Sequence, residues 1–186
     1  METTRTTTAG RSRTRQLLLC ALFAALTAVC SQIQIPLPLV PINLALLAVH
    51  LAGGLLGAKN GAISMVIYLL LGGIGAPVFA GLTGGPGILF GKTGGYIIGY
   101  IAAAAIVGAL SGRLRSFWGL CLSMAIGVAA CYLFGTIWFM VVTGMNLWTS
   151  LLYCVFPFLP GDVIKILLAA SLCRKLRGPL SRHGLL

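Results

Sequence analysis

An acidic residue, Asp162, opens the last long apolar run of this chain, three residues before Lys165. A charge at bilayer depth costs about 2.5–3.5 kcal/mol on insertion scales. The run around these two residues is otherwise apolar, and 59% of the whole chain is hydrophobic, with a mean hydropathy of +1.03. Such a chain folds with lipid as its solvent. In that setting Asp162 and Lys165 must be paired, used for function, or both. The other acidic residue, Glu2, lies in the polar N-terminal stretch.

Charge content excludes a water-soluble domain. Charged residues make up 8% of the chain, against about 25% in ordinary soluble domains, too few to clothe a water-soluble core of 186 residues. The net charge of +11 does not indicate nucleic acid. Its basic residues sit in short clusters between apolar runs, without the stripe or interleaved aromatics of a nucleic-acid surface. The six cysteines lie in or at the ends of apolar runs and form no C-x-x-C pair, so they read as small hydrophobes. The basic N-terminal stretch followed by an apolar run resembles a signal peptide. Its run from Leu17 to Ile33 is long for that role, and we read it as a retained first span.

Apolar runs fall at about 16–34, 43–58, 60–73, 94–111, 117–142 and 151–173. Residues 43–73 are either one long helix or two short ones broken at Gly57-Ala58-Lys59-Asn60-Gly61. The positive-inside rule favours the break. With six spans and both termini cytoplasmic, 11 of the 13 cations fall on the inner side, and the outer segments 35–42, 74–91 and 143–150 hold none. Merging the second and third runs puts Lys59 in mid-membrane and Arg113 and Arg115 outside. The expected architecture is therefore an all-α membrane protein. A cytoplasmic basic tail (1–15) leads into a six-helix transmembrane substrate-binding domain (16–175), and a second cytoplasmic basic tail (176–186) follows.

The two remaining cations, Lys92 and Lys165, fall near the outer ends of the fourth and sixth spans, with Asp162 beside Lys165. This convergence locates a candidate site. Pro160 suits the first turn of a helix, Asp162 then meets the positive end of its dipole, and Lys165 lies one turn on along the same face. Lys92 stands before Gly94-Gly95, where backbone N–H groups and an ammonium together suit an anion. A P-loop is excluded, because G-x-x-x-x-G-K-[ST] needs a glycine where Pro86 stands. The proline-rich segment 35–41 is stiff and extended. The segment 72–87, rich in glycine and containing Pro77 and Pro86, cannot be regular helix and is too apolar for a solvated loop. It reads as a lid over the mouth of the bundle. On the first span Ala21/Ala25 and Ala24/Ala28 recur at i, i+4, a spacing that lets another helix approach closely. His50 and Ser64 lack the glycine setting of an intramembrane serine protease, His183 lies in the tail, and no cluster suits a metal or cofactor.

Four segments in order bring a family into view: Ala21–Val29, Tyr68–Gly81 with Gly72-Gly-Ile-Gly-Ala-Pro-Val-Phe-Ala-Gly, Gly91-Lys-Thr-Gly-Gly-Tyr96, and Pro157-Phe-Leu-Pro-Gly-Asp-Val-Ile-Lys165. Over residues 16 to 175 the chain resembles BioY, the biotin-binding S component of energy-coupling factor (ECF) vitamin transporters. The resemblance implies a six-helix S-component bundle in the bacterial plasma or inner membrane. It implies a binding subunit and not an enzyme, with no cofactor, which docks on a transmembrane coupling protein driven by two ATPases. It upgrades Ala21, Ala24, Ala25 and Ala28 to a docking face. It assigns Asp162 and Lys165 to the ligand and Lys92 to the neighbourhood of the ligand carboxylate. Phe79 and Tyr96 suit the apolar ring and chain of biotin, with Asp162 and Lys165 on its urea. Two departures stand out: Lys92 replaces the family's frequent Pro or Arg, and Asn43-Leu44-Ala45 replaces Thr-Leu-Gln. Two other functions compete with this one: an S component for another small vitamin, and an intramembrane enzyme.

Overall fold

The computed structural model describes residues 5–37 and 39–182, with side chains over 13–37 and 39–180. Glu2, Pro38 and His183 lie outside the described residues, as do the side chains of Arg5, Arg11 and Arg182. Among the described residues the order is α1 (Arg5–Gln32), β1 (Gln34–Ile35), β2 (Ile42–Asn43), α2 (Ala45–Gly73), α3 (Pro86–Leu89), α4 (Gly94–Arg113), α5 (Phe117–Thr143), α6 (Leu147–Cys154) and α7 (Leu159–Arg182). Four helices are long and apolar enough to cross a membrane, and a fifth crossing follows if the bent pair α6–α7 is one span. The fold is that of an all-α membrane bundle. Its outward surface carries many exposed large apolar side chains, including Leu22, Val29, Leu133 and Val141, as lipid demands.

The long α2 is not straight. Gly57 has φ 80 and ψ 177 inside it, a region essentially reserved for glycine. The chain folds back there: a Cβ on Gly61 would lie 2.9 Å from the Gly53 Cα, whereas an unbroken helix holds residues eight apart about 12 Å from one another. Residues 45–56 and 58–73 thus form a tight helical hairpin, with arms of about 18 and 24 Å. Of the two sequence readings of 43–73, the broken one describes the backbone.

Small residues hold the layers together. A Cβ on Gly108 of α4 would sit 2.2 Å from the backbone N of Ala58, and one on Gly53 2.5 Å from the carbonyl O of Ala104. On the other side of α4, a Cβ on Gly95 would meet the Trp138 Cβ at 2.2 Å, and one on Gly135 the Tyr96 ring at the same distance. Gly108 and Gly53 let α4 and the α2 hairpin approach to backbone contact, and Gly95 and Gly135 leave room for the Trp138 and Tyr96 side chains between α4 and α5. Such close packing substitutes for a hydrophobic driving force in lipid. α4 lies between the α2 hairpin and α5, α1 covers the hairpin, and α7 packs on α2 and α5. Ser116 caps the start of α5 by accepting from Gly119 N–H at 3.0 Å, and Gly144 ends it in the left-handed region at φ 70.

One feature departs from the sequence reading, and two extend it. The apolar run 151–173 is not one helix. α6 stops at Cys154 and α7 starts at Leu159, with a bend of 53° between them, because Pro157 lacks the N–H a helix needs and its ring clashes with the preceding turn. The proline-rich segment closes a short antiparallel ladder with the register Gln34↔Asn43 and Ile35↔Ile42. The basic tails are helical where described: α1 begins at Arg5 and α7 runs to Arg182.

A Cβ at residue 57 meets nothing within 4 Å, and the same holds at Gly112 in α4. Gly57→Ala therefore imposes backbone strain alone, and should lower stability by about 1–3 kcal/mol. Gly112→Ala in a regular helix should be neutral or slightly stabilising. Thermal unfolding of both variants in one detergent checks this; equal midpoints would contradict the hinge.

Candidate functional site

The bend before α7 places a helix N-terminus inside the bundle. Asp162, in the first turn of α7, and Lys165, one turn on, are 3% and 5% exposed. Lys165 Nζ lies 2.9 Å from Asp162 Oδ1. The Tyr132 hydroxyl of α5 donates to the other carboxylate oxygen, Oδ2. The buried carboxylate thus has a cationic partner on one oxygen, a neutral donor on the other, and the positive end of a helix dipole behind it. This satisfies the requirement that a buried charge be both paired and hydrogen-bonded.

These residues face a cavity of about 250 Å³. Its walls are aromatic. Tyr68 stands edge-on to Phe79 with ring centroids 5.5 Å apart, and 6.4 Å from Tyr100. Tyr96 stands edge-on to Tyr132 at 6.5 Å. Apolar walls with a few convergent polar groups are the usual make-up of a small-molecule pocket. Asn43 adds one more such group. Its Oδ1 accepts the Ala45 N–H at 3.1 Å at the start of α2, and its amide lines the cavity. The β1–β2 ladder fixes its position.

The segment 72–87 forms one side of the cavity through Phe79, Ala80 and Thr83. It is fastened at several points. Phe79 packs against Gly72, where a Cβ would clash with its ring at 2.0 Å. The end of α1 holds the segment by side chains: Ser31 Oγ donates to Val78 O at 2.7 Å, Gln32 Nε2 donates to Phe79 O at 3.0 Å, and Gln32 Oε1 accepts the Leu82 N–H at 2.8 Å. Leu82 itself adopts φ 55, uncommon for a bulky residue, and the Gln32 bond helps to hold it there.

The structure therefore brings Asp162, Lys165, Tyr96 and Phe79 to one cavity. Lys92 is not among the lining residues and is exposed; its neighbour Thr93 faces the cavity instead. The four alanines of α1 divide. Ala21 and Ala25 are exposed, whereas Ala24 is 1% exposed and Ala28 half-buried, both within the core against neighbouring helices. Tyr132, Tyr68, Tyr100 and Asn43 were not assigned to the site by the sequence reading. The i, i+4 pair Tyr96/Tyr100 was a usable signal for one of them. A lone tyrosine in an apolar run, as at 132, gives none.

The backbone matches a crystal structure at 2.1 Å described as the S-component for biotin from an ECF-type ABC transporter. The TM-score is 0.83 at 31% identity, over 90% of this chain and 93% of that one. The fold and the cavity thus define a membrane-embedded S-component bundle. A family model described as "BioY family" matches residues 2–182. The chain is 37% identical to a probable biotin transporter BioY of Pyrococcus horikoshii, over 89% of this chain and 98% of that protein. It is 37% identical to the biotin transporter BioY of Thermotoga maritima (88% and 96%) and 38% to that of Rhizobium etli (87% and 92%). The chain belongs to the BioY family, and so to transporter S components and not to enzymes.

Removing one partner of a buried ion pair costs about 3–5 kcal/mol, because it strands the other charge. Lys165→Met should therefore destabilise the ligand-free protein more than the double variant Asp162→Leu/Lys165→Met, which removes both charges. Unfolding titrations of the two variants in mixed micelles check this. A double variant less stable than the single one would show that Asp162 is not held by Lys165.

Proposed function

We propose that this chain is the biotin-binding membrane subunit of an ECF-type vitamin uptake transporter. The observation that carries the reading is the buried Asp162–Lys165–Tyr132 group facing an aromatic cavity in a member of the BioY family. Biotin offers a cyclic urea, a thioether ring and a valerate carboxylate. Asp162 accepts the urea N–H groups and Lys165 donates to the urea oxygen. Charge-assisted bonds of this kind are about twice as strong as neutral ones. Phe79, Tyr96 and the other rings cover the apolar ring and chain. Lys92, exposed next to cavity-lining Thr93, takes the carboxylate at the cavity rim.

The topology in this reading is six spans with both termini cytoplasmic. Support comes from the fold-back at Gly57 and from the gathering of basic residues at the end of the bundle away from Asp162. There Arg177 of α7 reaches Gly54 O and Ser111 O, and the same end carries Lys59, Arg113 and Arg115. This is the cytoplasmic side by the positive-inside rule, in a bacterial plasma membrane. The 72–87 segment acts as the outer lid, and the α1 end fastens it. Energy comes from a transmembrane coupling protein and two ATPase subunits. The exposed Ala21/Ala25 pair gives a coupling helix a smooth surface at close range.

Calorimetric titration with biotin tests the site. Asp162→Asn should weaken binding about ten- to hundred-fold, the equivalent of a hydrogen bond to a charged group. Lys92→Ala should weaken biotin but leave des-carboxyl biotin unchanged. Unaltered biotin affinity in Asp162→Asn would remove the urea assignment. Docking is tested separately. Ala25→Trp should bind biotin as the parent does, yet fail to co-purify the coupling protein and ATPases from native membranes. Undiminished recovery of the complex by Ala25→Trp would place docking elsewhere.

A further inference from the structure

The basic end of the bundle holds a second cavity, of about 700 Å³, between the inner ends of α1, α2, α4 and α7. Arg115, Arg174 and Arg177 line it, together with Asn60 and Gln16. Among the described residues Asp162 is the one carboxylate, and it is committed to Lys165 in the other cavity. Three guanidinium groups thus share one cavity with no carboxylate of the described chain to balance them.

The site is built and not merely charged. Arg177 donates from Nη2 to Gly54 O at 2.7 Å and to Ser111 O at 3.2 Å, and from Nε to Gly54 O at 3.2 Å. These bonds fix its guanidinium between the break in α2 and the end of α4. Arg174 lies one turn earlier on the same helix, its guanidinium 6.0 Å from the centre of the Phe117 ring. Arg115 comes from the α4–α5 connection, where its Nε donates to Gly112 O at 3.4 Å. The arm of α2 that starts after Gly57 begins here too, with Gly57 and Asn60 in the cavity wall, and the start of a helix favours an anion. Guanidinium forks match phosphate oxygens two at a time.

We propose that this cavity binds the phosphate of an anionic phospholipid. The phosphate chemistry follows from three arginines with no carboxylate beside them among the described residues. The lipid source follows from the flank: Leu17 and Leu18 of α1 are more than half exposed and adjoin Gln16 in the cavity wall, so an acyl chain lies along them while the headgroup enters. Basic pockets between membrane helices take lipid headgroups in this way. The proposal does not depend on what the Asp162 cavity binds.

The test uses the full chain, stripped of lipid in neutral detergent, and the variant Arg115→Gln/Arg174→Gln, which keeps the Arg177 bonds. Phosphatidylglycerol, phosphatidylcholine and inorganic phosphate are added in turn. Thermal midpoints and lipid adducts in native mass spectra are read. Phosphatidylglycerol should raise the parent midpoint by several degrees and leave one retained adduct, phosphatidylcholine should do neither, and the variant should lose most of both effects. If the double variant elutes as aggregate, Arg115→Gln alone carries the comparison, with about half the loss. An equal response to the two lipids, or an undiminished response in the variant, would overturn the site. A rise of the same size with inorganic phosphate alone would overturn the lipid assignment and leave a free-anion site.

Discussion

The structure depends on one requirement, that a buried carboxylate in an apolar bundle find partners for both its oxygens. Asp162 meets it with Lys165 on one oxygen, Tyr132 on the other and the start of α7 behind it. Each provision needs a different part of the fold. The bend between α6 and α7 brings the helix start inward. α5 must stand close enough to α7 for Tyr132 to reach across to Asp162. A straight run through α6 and α7, or a wider α5–α7 spacing, would leave the carboxylate short of a partner. Low dielectric then makes the same group a strong acceptor for any ligand that can offer N–H groups.

Broken helices are the second theme. The break at residues 155–158 lies inside a run that looks continuous in hydropathy, and the Gly57 fold-back lies where one apolar run gives way to the next. Non-helical backbone within a membrane is tolerated where it is buried in protein or lines a cavity, and here each break adjoins one of the two cavities. At Gly57 the freed carbonyl of Gly54 is taken by Arg177. At the other break, Phe158 and Asp162 supply cavity wall and charge. The segment 72–87 follows the same logic: it has little secondary structure of its own and borrows hydrogen bonds from Ser31 and Gln32.

Much of this was legible in the sequence, for identifiable reasons. A charge pair in an apolar run announces itself by its cost, so Asp162 and Lys165 stand out without structure. The Gly57 break was legible through charge, because Lys59 cannot sit in mid-membrane. Tyr132 was not, since a tyrosine among apolar residues reads as core until a carboxylate is placed opposite its hydroxyl. The alanines of α1 show a limit of periodicity: Ala21/Ala25 and Ala24/Ala28 have identical spacing and lie on adjoining faces, and packing alone decides which face is free. Lys92 is a different case: its place before the glycines of α4 suggested an anion site, and the structure leaves it exposed beside cavity-lining Thr93. Pro157 was an available warning that the last run is two helices.

The proposed recognition of biotin by a buried carboxylate–ammonium pair in an aromatic cavity is most directly tested by titration calorimetry. The purified parent chain in detergent is titrated with biotin and with thiamine. Tight, saturable binding of biotin at one site per chain, with no heat from thiamine, is the predicted result. A folded, monodisperse sample that gives no biotin signal, or that binds thiamine as well, would contradict it.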